Sequence, residues 1–225
     1  MAKINATLTA NRERAKEVYR ILNETYPDAT CSLDYTNPLE LIVAVILSAQ
    51  CTDERVNKTT PALFRKFKTA EDYAAAPQEE IEQVIKSCGF YKNKAKSIKK
   101  MATSLIEEHG GEVPGTMEEL VQLGGVGRKT ANVVLGECFD GQGIIVDTHC
   151  KRVNQRLQFT KNDDPVKIEK DLMKVLPDDK WTQYSHLMVF HGRNLCIARA
   201  PKCSQCPIEH LCPFPDTREG KKIAK

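Results

Sequence analysis

Aromatic residues are scarce in this chain of 225: they make up 6% of it and include a single tryptophan. Strand-like alternation of apolar and polar residues is hard to find, while Ala, Leu, Ile, Val and Lys are plentiful, so an all-α protein is expected. Long apolar runs are missing too. The longest, Leu41–Leu47, falls far short of the roughly 20 residues that a membrane-spanning helix needs. Met1–Lys16 is polar and lacks the apolar centre of a secretory signal, which leads us to expect a soluble, intracellular protein with no membrane partner. The nine cysteines are an odd number, and in a reducing compartment they are not expected to build a disulfide framework. Internal repeats and low-complexity segments are absent. The net charge is only +3, which names no polyanionic partner by itself.

The distribution of charge says more. Lys86, Lys92, Lys94, Lys96, Lys99 and Lys100 follow one another with no acid between, and Phe90 and Tyr91 lie among them. A solvated helix face is the plain explanation of such a run. The missing acids and the adjacent aromatics point instead to contacts with a DNA backbone. The acidic stretch Glu71–Glu82 is read as solvated surface.

Periodicity and end signals predict helices at Thr9–Tyr26, Pro38–Ala49, Asp53–Phe67, Ala70–Ala75, Gln78–Cys88 and Asn93–His109. Further ones are predicted at Asp147–Leu157, Pro165–Leu176 and Lys180–Leu195, with Asp164 as a cap. Asn37 and Pro38 form a cap and first-turn pair. The helix they open is apolar nearly all round and should lie at the centre of a bundle. Gly89 and Gly110 fit as helix stops, and Thr116 with Glu119 resembles a capping box.

The most informative stretch is Leu123-Gly124-Gly125-Val126-Gly127-Arg128-Lys129. A patterned segment, Met117–Gln122, precedes it and an apolar, helix-like run, Thr130–Phe139, follows. Two helices joined by a glycine-rich turn present free backbone N–H groups, which bind an anion. Lys129 falls in the first turn of the second helix, and Asp147 opens another helix eighteen residues later. A lysine and a carboxylate beside a phosphate cradle suggest imine chemistry on a nucleic acid. Taken alone, Lys129 could equally be a phosphate-binding lysine and Asp147 a plain helix cap.

Near the C-terminus Cys196, Cys203, Cys206 and Cys212 form the pattern C-x6-C-x2-C-x5-C, with Pro201, Pro207 and Pro213 stiffening the loops. Structural zinc usually takes two C-x2-C knuckles, and only Cys203/Cys206 forms one. Uneven spacing over one compact loop favours a four-iron cluster, with zinc the alternative. The scattered Cys31, Cys51, Cys88, Cys138 and Cys150 are read as small buried side chains.

Together, L-G-G-V-G-R-K-T-A-N-V-V-L (Leu123–Leu135), V-D-T-H (Val146–His149) and the cysteine pattern resemble the endonuclease III family of DNA glycosylases, in the helix-hairpin-helix superfamily. L-S-A-Q-C-T-D (Leu47–Asp53) and G-F-Y-K-N-K-A (Gly89–Ala95) extend the resemblance over nearly the whole chain. It implies two helical domains with the DNA groove and active site between them. One, residues 32–141, would be a six-helix barrel containing the hairpin; the other, residues 1–31 and 142–225, would carry a [4Fe-4S] cluster on Cys196, Cys203, Cys206 and Cys212.

The resemblance further implies a nucleoid-associated cytoplasmic enzyme, expected to be a monomer. It would remove oxidised pyrimidines such as thymine glycol from double-stranded DNA and cleave abasic sites. Lys129 would attack C1′ of the flipped nucleoside, with Asp147 helping to deprotonate it. Gly125, Val126 and Gly127 would supply backbone donors to a phosphate, and Arg128 added charge. Gln50 and Phe90 match residues that plug the emptied stack; a buried core aromatic is the bland alternative for Phe90. His149 is a possible DNA contact, and Arg193, Arg199 and Lys202 flank the cluster. Many members have proline where this chain has Gly124, so a looser hairpin is expected. Competing readings are a thymine or uracil mismatch glycosylase on the same scaffold, a non-catalytic redox-sensing DNA binder, and a structural zinc protein.

Overall fold

The computed structural model describes residues 2–223, and every regular element among them is helical. An all-α fold is therefore what the sparse aromatics and absent alternation produce. The chain divides into two compact units, one of Ser32–Gly141 and one of Met1–Cys31 with Gln142–Lys225. Helix α1 (Ala2–Thr25) belongs to the second. The first holds α2 (Pro38–Ser48), α3 (Asp53–Lys66), α4 (Ala70–Ala75), α5 (Gln78–Ile85), α6 (Tyr91–His109), α7 (Met117–Leu120) and α8 (Arg128–Cys138). The second continues with α9 (Thr148–Arg156), α10 (Pro165–Met173), α11 (Trp181–Asn194) and α12 (Gly220–Ile223). No helix among the described residues is long and apolar enough to cross a membrane.

In Ser32–Gly141, α2 is the axis. The Asn37 side chain accepts from Glu40 N–H at 3.0 Å, and Pro38 occupies the first turn, where its missing N–H costs nothing. Leu41–Leu47 are all buried, and α2 packs against α3, α6 and α8. Each of its large aliphatic side chains contributes about 1.5–3 kcal/mol relative to exposure, so the unit closes around this helix. α6 starts two residues earlier than its pattern predicts and ends at Gly110 (φ +61), where Gly111 N–H returns to Leu105 O at 2.9 Å. α7 is a single turn and stops short of Gln122. Thr116 Oγ1 accepts from Glu119 N–H at 3.3 Å and donates to the Glu119 carboxylate at 2.5 Å, so a hydroxyl–carboxylate pair replaces the reciprocal bond of a capping box.

In the other unit, Ala15, Val18 and Leu22 of α1 enter one core with Val153, Ile168 and Leu187. Arg14 Nη1 donates to Leu157 O (2.7 Å) and Leu211 O (3.1 Å), and its guanidinium lies 4.3 Å from the Phe159 ring centre. The N-terminal helix is thereby tied to residues nearly two hundred positions later. Buried polar groups are matched: Tyr184 Oη donates to Asn154 Oδ1 at 2.6 Å, and Asn154 Nδ2 donates to Cys150 O at 2.8 Å.

Candidate functional site

The turn between α7 and α8 needs glycine at position 125 for two reasons. Its φ is +86, and a Cβ there would lie 3.0 Å from Ser97 Cβ and 3.3 Å from the Ser97 backbone. Gly125 and Gly127 are exposed, and their N–H groups have no partner among the described residues. The positive end of α8 lies behind them, so these donors are arranged as an anion would need them. Arg128 and Lys129, the first two residues of α8, are both exposed beside it. Val126 departs from expectation: its N–H donates to Leu123 O at 3.0 Å and its side chain is buried. It closes the turn, so its N–H is already engaged within the hairpin. The turn is also braced, not loose. Gly124 N–H donates to Ser104 Oγ at 3.3 Å, and a Cβ on Gly124 would fall 2.3 Å from Lys100 Cγ. The aliphatic stem of Lys100 occupies the space that a side chain at 124 would fill.

Gln50 and Phe90 both stand exposed in left-handed backbone, at φ +53 and +47. Left-handed geometry is unusual for a glutamine and more so for a bulky phenylalanine. Phe90 is 64% exposed, which removes the buried-core alternative. The two residues, forty positions apart in sequence, line one groove of about 310 Å³ together with Asn93, Lys94, Gly125 and Thr130. The surrounding lysines divide. Lys86, Lys92, Lys96 and Lys100 are exposed, as a DNA-facing run requires. Lys94 and Lys99 turn inward, correcting that expectation for both: Lys94 Nζ donates to Leu47 O and Cys88 O, and Lys99 Nζ to Ala74 O and Ala76 O at the end of α4.

In the other unit Asp147 caps α9, its Oδ1 accepting from Cys150 N–H at 2.7 Å. His149, half-buried, places Nδ1 3.1 Å from an Arg152 guanidinium nitrogen. Burial holds its imidazole below the usual histidine range, against the pull of the Asp147 charge. A Cβ on Gly192 would fall 2.8 Å from His149 Nδ1, so α11 can approach the ring only because position 192 is glycine.

Cys196, Cys203, Cys206 and Cys212 surround a small cavity closed by Val153, Leu157, Ile208 and Phe214. Burial and the neighbouring thiols push Cys206 up to about 12 and Cys212 up to about 11, while Ile208 N–H and Phe214 N–H bond the two sulfurs and oppose the rise. Four thiolates gathered in an apolar cage need a cationic core. Structural zinc usually takes two C-x2-C knuckles and only Cys203/Cys206 forms one, whereas a four-iron cluster is held by four cysteine thiolates. The donor set fits a [4Fe-4S] cluster.

The profile of the HhH-GPD superfamily of base excision DNA repair proteins matches residues 43–178, and that of the iron-sulfur binding domain of endonuclease III matches residues 196–212. Endonuclease III of Synechocystis sp. is 51% identical over 214 residues, 95% of this chain and 98% of the relative. That of Bacillus subtilis is 48% identical, covering 91% of each. The chain belongs to the endonuclease III family. A solved structure described as a trapped endonuclease III–DNA covalent intermediate, an estranged-adenine complex, superposes with a TM-score of 0.86 at 47% identity, covering 94% of this chain and 97% of that one.

Two residues stand close to the cysteine loop: Arg156, which sequence reasoning passed over, and His191, which has no partner pattern in the sequence and reads there as a plain helix residue. Arg156, buried, donates through Nη1 to Cys196 Sγ (3.3 Å) and Ile197 O (2.9 Å) and through Nη2 to Ala198 O (2.7 Å). It also lies 4.4 Å from the Phe214 ring centre. His191 places Nε2 3.7 Å from Cys206 Sγ, and burial pushes its pKa down to about 4.

Proposed function

We infer that the chain is a bifunctional DNA glycosylase and abasic-site lyase of base excision repair. It removes oxidised pyrimidines of the thymine glycol class from double-stranded DNA and cuts the strand 3′ of the lesion. The observation that carries this reading is the exposed Lys129 in the first turn of α8, two residues beyond the open anion site at Gly125 and Gly127. A phosphate held by those N–H groups and by Arg128 brings the backbone of a flipped nucleotide to the lysine. The unprotonated Lys129 amine bonds to C1′, the glycosidic bond breaks, and its electron pair leaves with the base. Opening of the sugar ring gives an imine between Lys129 and C1′. Loss of a C2′ proton then expels the 3′ phosphate, and water releases the lysine. Asp147 accepts the lysine's proton and offsets positive charge on the sugar.

Gln50 and Phe90, exposed at one groove, fill the stack that the flipped nucleotide leaves. His149, held beside Arg152 in the other unit, is a further candidate DNA contact. Cys196, Cys203, Cys206 and Cys212 hold the cluster, which when bound supplies the cross-link that gives their loop its shape. With chromosomal DNA as substrate, the chain works in the cytoplasm at the nucleoid.

Borohydride trapping on a duplex with one thymine glycol, wild type beside Lys129→Ala, tests the reading. A covalent adduct for wild type alone is expected. An adduct of equal yield with Lys129→Ala would remove the lysine from its role, and no wild-type adduct would remove the lesion class or the imine chemistry.

A further inference from the structure

Lys94 is only 5% exposed, and a buried ammonium is tolerated only where its donors are met. Two of them are: Nζ lies 2.8 Å from both Leu47 O and Cys88 O. Each carbonyl closes a helical segment. Leu47 lies in the last turn of α2, and Cys88 ends the 3-10 turn Lys86–Cys88. Carbonyls at such ends lack an intrahelical partner, and a cation is favoured there. From each the chain runs directly into left-handed backbone. Leu47 leads within three residues to Gln50 (φ +53), and Cys88 leads through Gly89 (φ +69) to Phe90 (φ +47). One ammonium thus ties together the roots of the two loops that present Gln50 and Phe90. Lys94 also lines the groove between them.

We propose that Lys94 is a positioning residue for base removal: its ammonium cross-ties the end of α2 to the Lys86–Cys88 turn and fixes the spacing of Gln50 and Phe90. The proposal rests on the reading of those two side chains as fillers of the emptied stack. A filler acts only if it arrives at the right height and separation, and both are set where the loops leave the core. Lys94 is buried and two of its donors are committed to these carbonyls, so its contribution belongs to the flipping and excision steps and not to general DNA affinity.

Lys94→Met keeps the aliphatic stem and removes the donors. Single-turnover removal of thymine glycol should slow by about ten- to a hundredfold. Affinity for undamaged duplex, and its salt dependence, should stay at wild-type values. Fluorescence of 2-aminopurine opposite the lesion, which reports unstacking, should lose amplitude in Lys94→Met but not in Lys129→Ala. Lys94→Met should slow excision less in a Phe90→Ala background than in wild type, because only Gln50 is then left to misplace. Full additivity of the two losses, an unchanged rate in Lys94→Met, or a shallower salt dependence would each overturn the proposal. Normal excision by both Gln50→Ala and Phe90→Ala would sink the filler reading and the proposal with it. Slowed excision in those two beside a normal Lys94→Met would sink the proposal alone. If Lys94→Met does not fold, Lys94→Gln, whose amide is uncharged and one bond shorter than the ammonium, carries the comparison, with a smaller loss expected.

Discussion

Asparagine at position 147 would keep one function of Asp147 and remove the other. Its side-chain oxygen can still accept from Cys150 N–H, the bond that Asp147 makes at 2.7 Å, and asparagine is as good an N-cap as aspartate. Asp147→Asn should therefore melt at the wild-type temperature while strand cleavage falls by about a hundredfold or more. Asp147→Ala should lose the same activity and in addition about 1 kcal/mol of stability. Equal melting temperatures with full activity in Asp147→Asn would reduce Asp147 to a cap. Position 124 makes a second case. Proline there would remove the N–H bonded to Ser104 Oγ and drive its ring into the Lys100 stem. Gly124→Pro should destabilise the protein by about 1–3 kcal/mol. It should also lower affinity for duplex DNA, with a salt dependence shallower by about one unit as Lys100 is displaced. Lys100→Met should give the same slope change by itself, and the double variant little more. Anisotropy titrations across a salt series read all three, and unchanged affinity in Gly124→Pro would show that the Lys100 stem has other room.

At the scale of elements, the hairpin was legible because a positive φ and a close approach to Ser97 leave a glycine as their mark, and the cysteine loop because its ligands are close in sequence. The inward turn of Lys94 and Lys99 was not legible. Their acceptors are backbone carbonyls, which carry no side-chain signature, and all but Cys88 O lie 23 to 47 residues away. Arg156 escaped notice for the same reason, since three of its acceptors are carbonyls around position 196 and the fourth is the Cys196 sulfur. Those bonds make it the organiser of the iron-sulfur loop. Arg156→Met keeps the bulk but leaves the acceptors without a buried donor, each at about 1–3 kcal/mol. The purified variant should carry less iron and sulfide per chain than wild type and lose its visible absorbance faster under a chelator. Wild-type iron content and bleaching rate would show that the cysteines shape the loop unaided.

For the whole molecule, the helical class and the membership of α1 have different physical origins. Composition and periodicity suffice for the first, because helices are local. The docking of α1 is long-range: Ala15, Val18 and Leu22 are fully buried in a core otherwise built from Ala29 and residues beyond 143, and Arg14 reaches both Leu157 O and Leu211 O. The α1 stripe announces an amphipathic helix but not its destination, which came only from the family resemblance. In contrast, Ser32–Gly141 contains its own axis, α2, and its apolar faces close on each other. The two units should then differ when cut apart. A fragment of residues 32–141 should unfold cooperatively on heating. A fragment of residues 142–225 lacks the three α1 side chains, whose burial contributes several kcal/mol against a total stability of about 5–15 kcal/mol. It should neither melt cooperatively nor retain iron, and co-expression with residues 1–31 should restore both. Cooperative melting of 142–225 alone would mean that the core closes without α1, leaving Arg14 and its two carbonyl acceptors as a surface brace.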